Sequence, residues 1–327
     1  MQRRVKASAP AKVILFGEHF VVYDKPAIVF AIDKRATVTA EIRTDKKIWI
    51  TSKNMEISGY FLNGQFYVKK GDENAEKKLE PIHAIFKKLS DLSGKNVGVN
   101  IEINSSFPVA VGLGSSAAVA VASTAALSHL LEIDLTKDEI FKISLEAEGI
   151  VHRNPSGIDP AISTYGGVLL YRKDRDIKPL DVKTDLPLVI GDTEIKRSTG
   201  EIVARVGDLI RRYPFIANNI IKAGGEIVTR GIEALKDGDL KTLGELMNIN
   251  HALLYAMGAS NQHLENLVYA ARKAGALGAK LTGGGGGGCM IALVVPGKFE
   301  DIAMAIEQAG GKAYITRKTA EGVRFEE

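Results

Sequence analysis

Three stretches of the sequence combine glycine, hydroxyl and acidic residues in ways that simple core packing does not require. The first is VGLGSSAAVAVASTAALSHLL, residues 111–131. Gly112 and Gly114 let a backbone turn tightly and come close to a ligand. A helix starting near Ser115 would aim its free N–H groups and the positive end of its dipole at that turn, an arrangement that suits phosphate. Ser115 and Ser116 add hydroxyls that can reach phosphate or magnesium. The same letters would also serve as an ordinary turn with a serine N-cap, and this stretch alone does not decide between the two. The GxxxxGK[ST] nucleotide loop is absent; Gly94-Lys95 and Gly311-Lys312 lack its spacing.

The second stretch is LEAEGIVHRNPSGIDPAIST, residues 145–164. At ~100° per residue, Ile140, Ile143, Ala147 and Val151 share one helical face. Glu146 falls on the polar side, between Glu139 and Lys142, and reads as a solvated charge. Glu148 falls between Ile140 and Phe141, at the apolar edge, where a carboxylate is costly unless a cation answers it. That makes it a candidate magnesium ligand, although the plainer expectation is a side chain that reaches solvent or meets a basic group. Asp159 precedes Pro160 in a Pro/Gly turn and has a purely conformational reading too. His152 reads as a structural histidine. In the third stretch, AKLTGGGGGGCMIALVV (residues 279–295), six glycines give up side-chain packing at an entropic cost. Leu281 and the strand from Met290 pin both ends, which argues for backbone lying against backbone or ligand rather than for a linker.

Positioning these groups requires alternating strands and helices. Short apolar runs at 12–16, 36–42 and 47–52 predict strands. Val21-Val22 and 27–32, flanking Tyr23-Asp24-Lys25-Pro26, predict a hairpin. Helical spacing covers 79–92, alternation marks a strand at 97–103, and a small-residue helix runs to about Leu131. Thr136 with Glu139 forms a capping box for a further helix. A strand at 167–171 precedes RKDRDIKPLDVKTDLP (residues 172–187), where charge and proline thicken. A boundary there divides the chain into 1–185 and 186–327. The second part predicts a strand at 188–191, helices over 199–274, a strand at 289–295, a helix at 299–309 and a strand at 313–316. Mixed elements in both halves imply two α+β domains.

Composition narrows the partners. With 43 basic against 39 acidic residues the net charge is +4, too mild for a nucleic-acid protein but compatible with an anionic small ligand. One cysteine, Cys289, allows neither an internal disulfide nor a Cys/His zinc site and fits a reducing, cytoplasmic compartment. Residues 1–17 lack the apolar core of a signal peptide. Residues 109–131 are too broken by glycine, serine and threonine to be a membrane span. Neither nucleic acid nor membrane is therefore an expected partner.

Together with AKVILFGEHFVVYDKPAI (residues 11–28), the three stretches resemble the GHMP kinase superfamily, in the family's order and over 9–295. PVAVGLGSSAA is similar to its phosphate-loop motif and KLTGGGGGGC to its late glycine motif. The opening segment, EGIVHRNPSGIDPAISTYGG and KRSTGEIVARV (from Lys196) are most similar to the mevalonate kinases of that superfamily. Ala11, Asp24, Arg153 and Gly284 depart from common family residues, and none of the four removes a hydroxyl or charge that the chemistry needs. The resemblance implies an α+β fold: a mixed first domain with a left-handed βαβ feature, and a ferredoxin-like second domain. It implies an ATP- and Mg²⁺-dependent kinase acting on the 5-hydroxyl of (R)-mevalonate. Other small-alcohol kinases of the superfamily and a silent nucleotide-binding paralogue are the alternatives, and a homodimer is compatible with it. It implies roles as well. Asp159 and Lys12 would be catalytic. Val111, Gly112, Leu113, Gly114, Ser115, Ser116 and Ala117 would hold ATP, with Ser116 and Glu148 on magnesium. Glu18, His19, Thr199 and the backbone at Gly284 would help bind the substrate.

Overall fold

The structure, a computed structural model, describes residues 3–108, 112–151, 156–173, 177–195 and 199–327. Strand β1 (Arg4–Phe16) is buried along most of its length, with Ala7, Ala9 and Ala11 fully covered. It pairs antiparallel with β2 (Ala27–Arg43), one unbroken strand where the sequence suggested two segments. The register slips between Pro10 and Lys12 and again between Ile14 and Phe16. Such bulges bend a strand and re-aim its side chains, and Lys12 sits at the first of them.

The connection from β1 to β2 corrects one expectation. Val21 and Val22 lie in a 3-10 turn, Phe20–Tyr23, and not in a hairpin strand. His19 and Asp24 both adopt a φ of 59°, which ends extension on either side. The buried ring of Phe20 is wedged against a helix at Gly224, where a Cβ would come within 2.3 Å of it.

The first sheet also contains β3 (Ile48–Ser52), β4 (Ile57–Leu62), β5 (Gln65–Lys70), β6 (Gly98–Ser105), β7 (Val168–Tyr171), β8 (Lys178–Leu180) and β13 (Arg324–Phe325). Its order is β13-β1-β2-β6-β3-β4-β5, with β7 also on β2 and β8 on β7. β3 and β6 run parallel, joined through β4, β5 and the helix α1 (Ala75–Ser93). Helices α2 (Ser115–Leu130), α3 (Lys137–Val151) and α4 (Ile158–Tyr165) complete this part. α2 buries nearly its whole circumference in small residues, which suits a helix at the centre of a core. The capping box forms at the start of α3: the Thr136 N–H donates to Glu139 Oε2 at 2.8 Å, and the Glu139 N–H to Thr136 Oγ1 at 3.3 Å.

The second sheet has the order β10-β11-β9-β12, all antiparallel: β9 (Pro187–Asp192), β10 (Gly278–Leu281), β11 (Cys289–Leu293) and β12 (Lys312–Arg317). Between β9 and β10 come α5 (Thr199–Arg212), α6 (Pro214–Asp237), α7 (Leu240–Ala256) and α8 (Gln262–Lys273); α9 (Phe299–Gln308) links β11 to β12. This is the β-α-β-β-α-β order of a ferredoxin-like unit with extra helices in its first crossover. After β12 the chain returns to the first sheet, where β13 pairs with β1 at Ala7 and Ser8. Among the described residues no helix is long and apolar enough to cross a membrane.

Candidate active site

Lys12 and Asp159 meet where β1, α2 and α4 converge. The Lys12 residue is 5% exposed, and its ammonium lies 3.1 Å from Asp159 Oδ1. Asp159 stands in the first turn of α4, where a carboxylate also favours the helix dipole. The Lys12 N–H donates to the Leu113 carbonyl at 2.9 Å, which ties the end of the glycine turn to β1. Gly114, at a φ of 72°, precedes α2 with no side chain to cap it. A Cβ there would be 2.8 Å from Lys12 Cγ, so glycine is what lets the turn lie on the lysine stem. The first-turn N–H groups of α2 are therefore left for an anion. Ser116 is exposed in that turn, Ser115 is half-buried, and Ala117 packs into the core. Val111 lies outside the described residues, as do His152, Arg153 and the Asn154-Pro155 part of the central motif.

Glu148 and Glu146 separate as their helical positions suggest. Glu146 is exposed and paired with Lys88. Glu148 is half-buried; its Oε2 is buried and has no hydrogen-bond partner among the described residues. Burial pushes its pKa up to about 7, the negative charge of Asp159 adds to this, and Lys12 opposes it. The two carboxylates and the lysine are thus electrostatically coupled. An orphaned buried carboxylate oxygen fits a divalent cation. Among the described residues no cluster of three or more His, Cys, Asp or Glu could hold a metal. Magnesium needs no such cluster when one or two side chains are joined by nucleotide phosphates.

A second cluster is built by the chain after β1 and by the glycine run. His19 Nε2 lies 2.9 Å from the Gly284 carbonyl oxygen. Glu18 is buried; its carboxylate accepts from the Lys280 ammonium, and Asn250 Nδ2 donates to it at 3.3 Å. Burial pushes Glu18 up and Lys280 down, each opposed by the partner's charge. The Leu281 N–H donates to His251 Nδ1 at 3.2 Å. Burial holds His251 near a pKa of about 3, with the positive Arg272 and Lys280 adding to the effect, so its imidazole is neutral. The glycine run rests on backbone: Gly285 has a φ of 70°, and a Cβ there would meet the Ala259 carbonyl oxygen at 1.9 Å. The Gly286 N–H donates to that same carbonyl at 2.8 Å. A Cβ at Gly286 would come within 2.3 Å of Ile202, one turn from exposed Thr199 at the start of α5.

The sequence reading missed Asn250, His251, Thr282 and the partner of Lys280. Lys280 carried a signal, a lysine in a strand whose four residues are all buried. The two α7 residues carried none, because their value lies in what the fold sets beside them.

Comparison with known proteins agrees with this geometry. The family models described as GHMP kinases N terminal domain and GHMP kinases C terminal match residues 80–167 and 232–312. The chain is 44% identical to a mevalonate kinase of Pyrococcus horikoshii, over 100% of this chain and 99% of that one. It is similar to the crystal structure of L. major mevalonate kinase in complex with R-mevalonate, with a TM-score of 0.85, 30% identity and 98% of each chain covered. It is also similar to the Methanococcus jannaschii mevalonate kinase structure, with a TM-score of 0.81 and 26% identity over 98% of this chain and 99% of that one. An ion-paired lysine beside a glycine-capped helix, an orphaned carboxylate and a backbone-packed glycine run thus stand in a fold these enzymes share, and the chain belongs to the GHMP kinase family, among the mevalonate kinases.

Proposed function

We propose that this enzyme transfers the γ-phosphoryl group of ATP to the 5-hydroxyl of (R)-mevalonate, giving 5-phosphomevalonate and ADP. The observation that carries the chemistry is the pairing of buried Lys12 with half-buried Asp159 at 3.1 Å, beside the uncapped start of α2. The likeness to mevalonate kinases over the whole chain carries the substrate.

Phosphoryl transfer asks for positioning and charge neutralisation more than for covalent chemistry. Asp159 orients the substrate hydroxyl and accepts its proton at Oδ, while Lys12 neutralises charge developing on the attacking oxygen. The backbone of Gly112, Leu113 and Gly114, with the first turn at Ser115, Ser116 and Ala117 and with Val111 before it, cradles the phosphates. Ser116 and Glu148 would hold Mg²⁺, Glu148 as the ionised carboxylate, and the metal when bound would neutralise phosphate charge. Glu18, His19, Thr199 and the backbone at Gly284 form the mevalonate end, Glu18 acting from behind. In this reading residues 1–185 bring the phosphate loop and the proton machinery, and 186–327 bring the glycine run. A cytoplasmic site of action supplies both ATP and magnesium.

The test is ADP release with mevalonate, phosphomevalonate, galactose and homoserine as acceptors, and phosphorus NMR of the product. Mevalonate is expected to give the highest kcat/KM, with phosphate on the 5-oxygen. A 3-phosphate, preference for the phosphorylated acceptor, or tight ATP binding without turnover would each overturn the assignment.

A further inference from the structure

Lys280 has no exposed side-chain surface, and neither has Glu18. Two buried charges pay for desolvation out of their mutual attraction, and an apolar pair of the same shape is often as stable or more so. Stability is therefore a weak reason for this pair, and its location supplies a better one. Lys280 is the penultimate residue of β10, four residues before Gly284, and Glu18 immediately precedes His19. The Lys280 ammonium also donates to the Leu281 carbonyl at 2.7 Å, holding the chain where it leaves the strand. Between them, the Thr282 hydroxyl accepts from the Ile14 N–H and donates to the Ile14 carbonyl, both at 3.0 Å. Segments 14–19 and 280–284 are thus stitched at three levels: Ile14 to Thr282, Glu18 to Lys280, and His19 to Gly284. His19 has φ 59° and ψ −41°, a conformation that a non-glycine residue keeps only when its surroundings over-determine it.

We propose that Lys280 is a positioning residue for the acceptor end of the cleft: through Glu18 it fixes His19 against the glycine run and touches no substrate itself. The proposal rests on reading His19 and Gly284 as the mevalonate end. Neutralising one partner leaves the other charged and buried, so Lys280→Met alone confounds folding with positioning. The Glu18→Gln/Lys280→Met double variant removes both charges together and separates the two. Its Tm is expected to return towards that of the wild type, because no unpaired charge remains. Its kcat/KM for mevalonate is expected to stay depressed, by up to about 10²-fold for a misplaced binding group. The loss should fall on KM for mevalonate and leave KM for MgATP unchanged.

A double variant with wild-type KM for mevalonate would overturn the proposal, as would equal increases in both KM values. Should the double variant not fold, Asn250→Ala takes its place. It leaves the ion pair and removes the bond from Asn250 to Glu18, so it tests only whether the placement of Glu18 matters to mevalonate. Lys280 itself is then judged by Glu18→Asp, which keeps both charges but shortens the reach to Lys280, a raised KM for mevalonate supporting positioning and an unchanged one refuting it. Wild-type turnover of mevalonate is measured first, and its absence would refute the proposed function on its own. Hydrogen exchange of amides 281–288 then judges Lys280 without substrate. Faster exchange in the double variant at restored Tm supports the positioning role, and wild-type exchange refutes it.

Discussion

Asp159 has one oxygen 3.1 Å from the Lys12 ammonium. Asparagine at this position keeps the size and one acceptor but cannot take a proton. Asp159→Asn is expected to leave the fold and Mg-ATP binding intact and to lower kcat by about 10²-fold, the lower end for loss of a general base, because a loose transition state asks less of its nucleophile. Lys12→Met slows turnover too, and the double variant should lose less than the product of the two, since both act on one proton. Measuring kcat for all three, with circular dichroism as the check on folding, decides this. A folded Asp159→Asn enzyme with more than about a tenth of wild-type kcat would demote Asp159 from base to turn residue. Glu148 gives a pH signature instead. Its folded pKa of about 7 lies above the ordinary 4.5, so the folded state holds the proton more tightly than the unfolded chain does. Its contribution to stability is complete below about 4.5 and is lost as pH rises through about 7. On the proposed role of Glu148 as a magnesium ligand, metal binding competes with that proton, so magnesium affinity in the nucleotide complex should strengthen over the same interval. Titrations at about pH 6 and about pH 8 should show the rise in the wild type and in Glu146→Gln, whose site is exposed and paired with Lys88. Glu148→Gln should bind magnesium weakly at both. Identical behaviour of the two variants would remove Glu148 from the metal site.

At the scale of elements, what could be read from the sequence was whatever local chemistry decides. The capping box at Thr136 and Glu139 formed as written, because its two bonds involve residues three apart. α2 was legible as a small-residue helix after a glycine turn, and the six glycines as backbone packed on backbone, now seen against Ala259. The hairpin expected at Val21-Val22 failed for a tertiary reason. Phe20 is drawn against α6, and the positive φ of His19 and Asp24 bends the chain out of extension, which periodicity alone cannot reveal. β2 was read as two pieces because Asp33, Lys34 and Arg35 interrupt its apolar run. Arg35 is in fact tied to Ser8 and to the Gly322 carbonyl near the C-terminus, partners 27 and 287 residues away. The site divides in the same way. Gly112, Gly114, Glu148 and Asp159 could be singled out from their neighbours in sequence. That Lys12 meets Asp159, and that Lys280 meets Glu18, depends on contacts across 147 and 262 residues, respectively, which no local pattern encodes.

At the scale of the whole molecule, the first sheet and the ferredoxin-like sheet must keep a fixed relation if Lys12 and the glycine run are to face one substrate. Thr282 is the most economical part of that junction. It is fully buried at the end of β10, and its single hydroxyl satisfies both the N–H and the carbonyl of Ile14, at the second register slip of β1. Removing the hydroxyl takes this partner from both groups at once. Thr282→Val keeps the shape and loses both bonds. It should cost about 2 kcal/mol, given roughly 1–3 kcal/mol for each polar group left unsatisfied and some relief because Ile14 is only half-buried. Thr282→Ser keeps the hydroxyl and loses a methyl group, worth about 1 kcal/mol. The order of stabilities in urea, wild type above serine above valine at constant m-value, would assign the difference to the bonds rather than to volume. Ile14 stands two residues after Lys12, so the valine variant should also lose kcat where serine retains it. If valine proves as stable and as active as serine, the two sheets are held together by apolar packing, and the Thr282 hydroxyl has no part in aligning them.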